Sequence, residues 1–504
     1  MPTGVVAPRQ GSAKWTWTGH SSATRGSAPT RIDVTKYATG SGRDRYLLQM
    51  LRLMFDGGTL VLSGLAPTQV DSPIPAALVW DARIEQYRAP AHRYREVALW
   101  LRHREGALND VFQERARTDL WAPPDLRDYQ HAALLSWRSA GRTGLVVLPT
   151  GAGKTRLACA AMATVRCAVL CLVPTRALLH QWRQEIARHY RGRVGCVGDG
   201  EHHIDHVTVA TFEGGYRHMS KIGNRFGLLV VDEAHHFGAG VRAEALEMCA
   251  APLRLGLTAT APPDEALARL AKLLGPVVCK LAVADLAGEW LAEFDTVVLE
   301  LRLSLEEWRQ YASAVATFRS VFDDFRALRP NAKWTEFVGT ASRSEQGRAA
   351  LHAFRSSRRL TGYAAAKRAA VAELLSRHRA NRVLVFTSDN ETAYHIAREQ
   401  FVMPITCEIE RAEREQALEA FRRGELRALV SARVLNEGID VPDADVAIIV
   451  GGASGQREHV QRVGRLLRPV PGKRALVYEL IAAGTHEVRK AAERRRALDS
   501  ETTS

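Results

Sequence analysis

The run Thr150-Gly151-Ala152-Gly153-Lys154-Thr155 joins an apolar stretch, Gly144-Leu-Val-Val-Leu148, to a helical pattern that begins near Arg156. A glycine loop at a helix N-terminus turns backbone N–H groups toward a phosphate chain. Thr150, Gly151, Ala152 and Gly153 are the expected cradle. Lys154 is expected to reach the β- and γ-phosphates of a nucleoside triphosphate, and the Thr155 hydroxyl to ligate Mg²⁺. The full phosphate-loop pattern has a glycine where this chain has Leu148, but Gly-x-Gly-Lys-Thr is intact. Downstream, Leu228-Leu-Val-Val231 runs straight into Asp232-Glu233. An acidic pair after a parallel strand lies at the edge where such sheets present their ligands. Asp232 would hold Mg²⁺ through water, and Glu233 would orient or deprotonate an attacking water. The plainer reading of the pair is a surface acidic turn, which the phosphate loop two strands away disfavours. Together the two motifs specify hydrolysis of a nucleoside triphosphate and leave its purpose open.

The elements that must carry these residues follow from periodicity. Between 125 and about 300, short apolar runs alternate with helical patterns: 144–148, 168–173, 207–210, 228–231 and 253–257. That is a βα repeat, hence a parallel sheet covered by helices on both faces. The alternation returns after about 361, with runs at 383–386, 428–430, 446–450 and 475–478. The fold class is therefore α/β with two tandem parallel-sheet domains, 123–301 and 361–496. Between them, 302–360 has Leu305, Trp308, Tyr311, Val315, Phe318 and Phe322 at helical spacing, which predicts an all-α insertion. Residues 43–122 read as a small α+β domain. It has a helix over Tyr46–Phe55, strands at Thr59–Leu62 and Ala76–Trp80, and an amphipathic helix over Arg93–Arg104. Trp121-Ala-Pro-Pro124 reads as a linker. Residues 1–42, rich in Gly, Ser, Thr and Ala, read as a disordered leader, and 497–504 as a tail.

Composition narrows the class of partner. With 504 residues the chain needs several domains. Its net charge of +14 points to a polyanion. The excess sits in the leader, at +4, and in the 302–360 insertion, at +5. No apolar run is long enough to cross a bilayer, and the first residues lack a secretory apolar core, so no membrane partner is expected. A cytoplasmic, nucleoid-associated location is. The seven cysteines form no Cys-x-x-Cys pair and read as reduced core thiols. His202, His203 and His206 lack the acidic or thiol neighbours of a metal centre and read as a polar loop. Arg489, Lys490 and Arg494-Arg-Arg496 read as the solvated face of a terminal helix.

Further motifs recur in a fixed order. Leu126-Arg127-Asp128-Tyr129-Gln130 precedes the phosphate loop, and Val173-Pro-Thr-Arg-Ala-Leu178, Val209-Ala-Thr-Phe212 and Leu257-Thr-Ala-Thr260 follow it. The second α/β domain contributes Val383-Leu-Val-Phe-Thr-Ser388, Val434-Leu-Asn-Glu-Gly-Ile-Asp-Val-Pro442 and Gln461-Arg-Val-Gly-Arg-Leu-Leu-Arg-Pro469. This ordered set resembles superfamily 2 helicases of the DEAH-box type. The layout of 43–496 is most similar to the XPB family of DNA repair helicases, in its shorter archaeal and bacterial form. The resemblance implies two RecA-like domains, and a damage-recognition role for 43–122. It implies that Arg127 and Gln130 contact ATP, with Gln130 reading adenine. Arg465 and Arg468 reach the γ-phosphate from the second domain, and Gln461 lies beside the attacking water. Glu437, Gly438 and Asp440 couple that domain to the nucleotide. Thr175, Arg176, Thr211 and Thr387 line the path of a nucleic-acid strand. Thr258 and Thr260 link the two sites, with His235 as their partner.

Two segments depart from, or test, that pattern. An Arg-Glu-Asp element is expected shortly after Thr-Ala-Thr, and here the sequence is Ala261-Pro-Pro-Asp-Glu-Ala266. Asp264 and Glu265 read best as the start of a helix, where acidic groups suit the helix dipole. The insertion stands where the family has a DNA-gripping thumb, and Arg355, Arg358 and Arg359 are its candidate phosphate contacts, weighed against an ordinary solvated charged face. The expected activity is an ATP- and Mg²⁺-dependent DNA helicase or translocase, travelling 3′-to-5′ in DNA repair, with a nuclease or other repair protein as a possible partner. Two alternatives remain: a duplex translocase or remodeller that does not separate strands, and a recruitment module in which ATP acts only as a switch. RNA is a further possible substrate.

Overall fold

The computed structural model describes residues 51–67, 73–104, 107–112, 120–240, 242–286, 293–432, 444–451 and 474–499. The first of these build a small sheet. Asp56-Gly57-Gly58-Thr59 is a two-residue hairpin turn, with both glycines at positive φ, +55° and +93°. Such a turn matches the twist of antiparallel strands. It forces Arg52–Asp56 (β1) to pair with Thr59–Ser63 (β2). Where it is described, the helix expected over Tyr46–Phe55 is therefore a strand, because turn chemistry outweighs a helical-looking apolar spacing. The next strand begins later than expected: Val79–Asp81 (β3), with 76–77 in a turn. Gln86–Pro90 (β4) and Leu108–Asn109 (β5) complete the order β3-β4-β2-β1-β5. Helix α1 (Tyr94–Leu101) buries Val97 and Leu101 against Leu53, Leu60 and Leu62.

The phosphate loop sits in the second sheet. Helix α2 (Asp128–Ser139) leads into β6 (Thr143–Val147), α3 (Lys154–Val165), β7 (Val169–Val173) and α4 (Arg176–His189). Then come β8 (Val194–Gly198), β9 (Glu201–His203), β10 (Val207–Thr211), α5 (Phe212–Ile222) and β11 (Leu228–Val231). The short α6 (Glu244–Glu247), β12 (Leu253–Thr258), α7 (Asp264–Leu274), β13 (Val277–Lys280) and α8 (Val283–Leu286) finish it. The strand order is β13-β6-β12-β11-β7-β10-β8-β9, parallel except at β8/β9. β7, β10 and β11 are buried at every position, as strands covered on both faces must be. His202 and His203, read as loop, lie on the polar edge strand β9. A short polar edge resists pairing with another chain. Asp264 and Glu265 do open helix α7.

β14 (Glu293–Leu301) is the main departure from the expected domain division. Read as the end of the first α/β domain, it pairs instead along its full length with β19 (Arg474–Ala482) in the third sheet. Its apolar run announces a strand, but nothing in a strand's own residues says which sheet will receive it. The insertion is helical: α9 (Leu305–Leu328), α10 (Trp334–Ala341) and α11 (Glu345–Gly362). Ser304 and Glu307 form a reciprocal capping box at its start. Phe318, Phe322, Trp334, Phe337 and Phe354 pack as an aromatic cluster between the helices. The third sheet then follows through α12 (Ala365–Arg377), β15 (Val383–Phe386), α13 (Asn390–Gln400), β16 (Met403–Ile405), α14 (Arg411–Arg422), β17 (Ala428–Ser431), β18 (Val446–Ile449), β19 and α15 (His486–Asp499). Its order is β14-β19-β18-β15-β17-β16. The Lys367 ammonium on α12 is fully buried, and its pairing with Glu487 at 2.7 Å and the Val450 carbonyl at 2.7 Å offsets the cost of burying it.

The N-terminal sheet packs on the α6/β12 side of the second sheet. Met248 fills the space above Gly58, Ala250 joins the N-terminal core, and Asn224 Nδ2 donates to the Val111 carbonyl at 2.9 Å. His92 lies in this seam. Burial, with Arg254 and Arg93 nearby, pushes its pKa from 6.5 down to about 4. Its Nδ1 is buried without a hydrogen bond among the described residues. The unfolded chain therefore binds a proton on His92 before the folded one does. The stability this ring contributes is complete above about 6.5 and is lost as pH falls toward about 4. Chemical unfolding of His92→Gln across that window is expected to fall less steeply with acid than the native chain does. Parallel curves would refute this.

Candidate nucleotide-hydrolysis site

The order β6-β12-β11 brings three loops to one edge of the second sheet: the phosphate loop after β6, Thr258 at the end of β12, and Asp232-Glu233 after β11. Gly151 and Gly153 have φ of +87° and +74°, conformations that cost an L side chain about 1–2 kcal/mol. Gly153 is required for a second reason, since a Cβ there would lie 2.5 Å from Gln130 Nε2. No side chain caps α3, so its first N–H groups face the loop with the positive end of the helix dipole. That is the donor set a phosphate chain requires. Lys154 Nζ donates to the Leu148 and Pro149 carbonyls at 3.2 and 3.4 Å, and the Leu148 N–H donates to the Thr258 carbonyl at 3.0 Å.

Helix α2 holds this loop from behind. Gln130 is 1% exposed. Its Oε1 accepts the Arg127 N–H at 3.0 Å, and its Nε2 donates to the Ala152 carbonyl at 2.9 Å. The Tyr129 hydroxyl donates to the same carbonyl at 2.8 Å. The amide expected to read adenine thus braces the phosphate loop, with both of its polar atoms engaged by backbone. Tyr129 shares that task, which its place in the motif does not announce.

Asp232 is buried, and the Glu233 side chain beside it is 15% exposed. Glu233 adopts a left-handed φ of +46°, uncommon for a residue other than glycine. Burial, together with the charge of Glu233, raises the Asp232 pKa to about 6. Burial opposes ionisation of Glu233 too, but His235 and Lys154 outweigh it and bring that carboxyl down to about 2. The Trp182 indole N–H, from α4, donates to Asp232 Oδ2 at 2.8 Å. His235 Nδ1 lies 3.3 Å from Glu233 Oε2 and 3.2 Å from Thr258 Oγ1, and the Thr258 hydroxyl donates to the Thr260 carbonyl at 2.9 Å. The expected trio of His235, Thr258 and Thr260 is thus one chain of contacts ending on Glu233.

The residues expected on a nucleic-acid path divide. Thr175 and Thr211 are N-caps, accepting from Leu178 N and Gly214 N at 3.2 and 3.0 Å. With Arg176, which pairs with Asp199 at 3.2 Å, Thr211 lines a cleft of about 440 Å³ over β8 and β10. Thr387 does not fit the expectation. It is fully buried and donates to the Asp389 carbonyl at 2.9 Å, because a hydroxyl at the end of a central strand is used to shape the loop that follows. Of the three arginines, Arg355 is exposed, Arg358 lies over the Phe354 ring at 5.1 Å and Arg359 pairs with Glu391 of α13. Arg359 thus ties the insertion to the third sheet. Gln461, Arg465, Arg468, Glu437, Gly438 and Asp440 lie outside the described residues. Trp182 is the functional residue that motif reading missed. A tryptophan within a helical apolar stripe gives no sign that its N–H will meet a carboxylate.

Comparisons with known proteins agree on the class. Residues 124–263 match the model of the type III restriction enzyme res subunit, 366–470 that of the helicase conserved C-terminal domain, and 53–111 that of the xeroderma pigmentosum group B helicase damage recognition domain. A DNA 3′-5′ translocase XPB2 of Sulfurisphaera tokodaii is 32% identical over 453 residues, spanning 88% of this chain and 100% of that one. A DNA 3′-5′ helicase XPB of Mycobacterium tuberculosis is 30% identical over 388 residues, 74% of this chain and 63% of its own length. Among solved structures, Dbp5 of S. cerevisiae bound to RNA and ADP BeF3 superposes with a TM-score of 0.52 at 14% identity, covering 74% of this chain and 88% of that one. That likeness is one of fold: two RecA-like domains.

Trp182→Phe keeps an aromatic ring at this position and removes the only side-chain donor seen on Asp232 among the described residues. A hydrogen bond to a charged group is worth about 1.5–3 kcal/mol, so ATP turnover per folded molecule is expected to fall by roughly 10- to 100-fold, and the unfolding midpoint to fall as well because a smaller ring replaces a buried indole. Turnover equal to the native chain's would remove Trp182 from the site.

Proposed function

Because this chain belongs to the XPB family of DNA 3′-5′ helicases and translocases, we propose that it hydrolyses ATP to drive itself along DNA, 3′-to-5′, in DNA repair. The observation that carries the reading is the uncapped N-terminus of α3 at the same sheet edge as an acidic pair, the buried Asp232 and the largely shielded Glu233. Residues 150–155 would hold the triphosphate, with Lys154 released from the Leu148 and Pro149 carbonyls to meet it. Thr155 and Asp232 would hold Mg²⁺, whose chemistry is to neutralise charge on the phosphates. Glu233, ionised and held by His235, would orient the attacking water. Gln130 and Tyr129 would act on the loop's shape. Gln461, Arg465 and Arg468 would complete the site from the second α/β domain, with Glu437, Gly438 and Asp440 coupling it to the nucleotide. Closure of the two domains on ATP and reopening after hydrolysis would advance the grip on a strand running past Arg176 and the caps Thr175 and Thr211. Arg355, exposed on α11, would be the insertion's phosphate contact. A nuclease or another repair protein is the natural partner for such a motor, and the nucleoid its place of work.

A second reading is favoured by one feature. Pro262 and Pro263 run directly into α7, whose first turn takes up Asp264 and Glu265. No arginine stands in 261–266, so the chain lacks the side chain with which a loop here would separate paired strands. It would then pull duplex without opening it.

ATP hydrolysis measured with single-stranded, duplex and forked DNA and with RNA tests both readings. Stimulation by DNA is expected, and its absence at low salt would end the motor reading. Glu233→Gln is expected to lower turnover by about 100-fold or more while ATP still binds. Displacement of a triplex strand without unwinding of a fork would favour the second reading, and fork unwinding would overturn it.

A further inference from the structure

Behind the ATP-binding sheet, away from the nucleotide edge, a cleft of about 810 Å³ opens between α1 of the N-terminal domain and the C-terminal end of α2. Arg95 and Arg102 line one wall, Arg138 and Arg142 the other, and no carboxylate is among the described residues that line it. Arg95 is partly committed, since its Nη1 donates to the Gly141 carbonyl at 3.0 Å and so ties the walls together. No ion pair to a described carboxylate forms at Arg102, Arg138 or Arg142, and the nearby Glu96 is taken by Arg93. The same cleft is apolar between the charges. Leu99 and Leu135 are 49% and 57% exposed, opposite each other on α1 and α2. Tyr94 and Phe112, edge-to-face at 4.8 Å, lie beneath them with Pro252 and Leu253.

We propose that this cleft is a docking site for an acidic, amphipathic segment of a partner protein, one that alternates carboxylates with leucine or phenylalanine. Cationic rims and an apolar floor match such a segment on both counts: its acids pair with Arg102, Arg138 and Arg142, and its apolar side chains cover Leu99 and Leu135. Planar guanidinium groups bind carboxylates in pairs of hydrogen bonds and stack on aromatic rings. Duplex DNA would satisfy the charges and leave the leucines wet. The site is distinct from the strand path proposed above, which crosses the opposite edge of the sheet. The occupied cleft would bridge α1 and α2, and α2 is the helix whose first turn braces the phosphate loop through Tyr129 and Gln130.

The test is a fluorescence-anisotropy titration of the full chain with a labelled peptide of repeating Glu-Leu-Glu-Phe, beside a peptide in which Ser replaces Leu and Phe. The first is expected to bind at least about tenfold more tightly than the second. Arg102→Glu/Arg138→Glu is expected to weaken it by about tenfold or more, and Leu99→Ser/Leu135→Ser to abolish its advantage over the serine peptide. The control is Arg379→Glu/Arg398→Glu, which makes the same change in net charge on sites elsewhere and is expected to change little. Equal weakening by the control pair, or equal binding of the two peptides, would overturn the proposal. So would a cleft variant that loses affinity for duplex DNA and keeps it for the acidic peptide. All four substituted positions of the cleft are exposed, and an unchanged unfolding midpoint separates lost docking from lost fold.

Discussion

Two adjacent carboxylates, Asp232 and Glu233, stand at the end of a strand whose every residue is buried. Burying one ionised carboxylate without partners is costly, and two together repel as well. The rest of the first α/β domain can be understood as what makes that arrangement tolerable. Trp182 supplies an N–H from α4, His235 shields Glu233, and Lys154 lends its field from α3. The two acids consequently diverge, one raised to about 6 and the other lowered to about 2. A pair whose environments push their protonation apart is suited to two different tasks, one holding a cation and the other managing a water.

The opposite half of the site is held by helix α2. Its first turn fixes the Ala152 carbonyl through Tyr129 and Gln130. Near its far end the Trp137 indole donates to the Arg254 carbonyl at 2.9 Å. Arg254 is itself an unusual strand residue. Its buried guanidinium donates to the carbonyls of Ala251, Leu246, Leu273 and Cys249, using donors to satisfy chain ends that would otherwise be stranded in the core. One arginine thus gathers α6, α7 and the start of β12 beneath the sheet, and the N-terminal domain rests on this same region through Met248 and Ala250.

What could be foreseen from the sequence followed the strength of local signals. The central strands were legible because burial on both faces leaves no room for polar residues. The phosphate loop and acidic pair were legible because their chemistry leaves few alternatives. Turn chemistry was there to be read in Asp56-Gly57-Gly58-Thr59, and an apolar spacing drew attention away from it. The sheet that receives β14 could not be read, since strand pairing depends on the partner's position and not on the strand's own residues. Trp182, Arg254 and the Lys367–Glu487 pair share a further obscurity. Each looks locally like packing or a solvated charge; Trp182 and Lys367 gain their task from contacts formed across 50 or more residues, and Arg254 from carbonyls up to 19 residues away.

Thr387 and Arg359 bring the two kinds of reading together. Both were expected to face a nucleic acid, and both bond within the protein: the buried Thr387 shapes the loop after β15, and Arg359, on the surface, joins α11 to α13. A machine that moves by alternating two grips must keep each gripping surface rigid relative to its own sheet, or the force would be lost in deformation. Internal bonds of this kind would serve that need in the motor proposed above. Lys367 and Glu487 meet the same need for the third sheet. They lock α12 and α15 to the ends of β18 and β19 through a buried pair that would be strongly destabilising if broken. The insertion between the two sheets is attached by Arg359–Glu391 at one end, and at the other by the Glu307 carboxylate, which accepts the Ala365 N–H at 2.9 Å. It accordingly belongs mechanically with the third sheet, which is also where β14, the strand that leads into it, has already crossed.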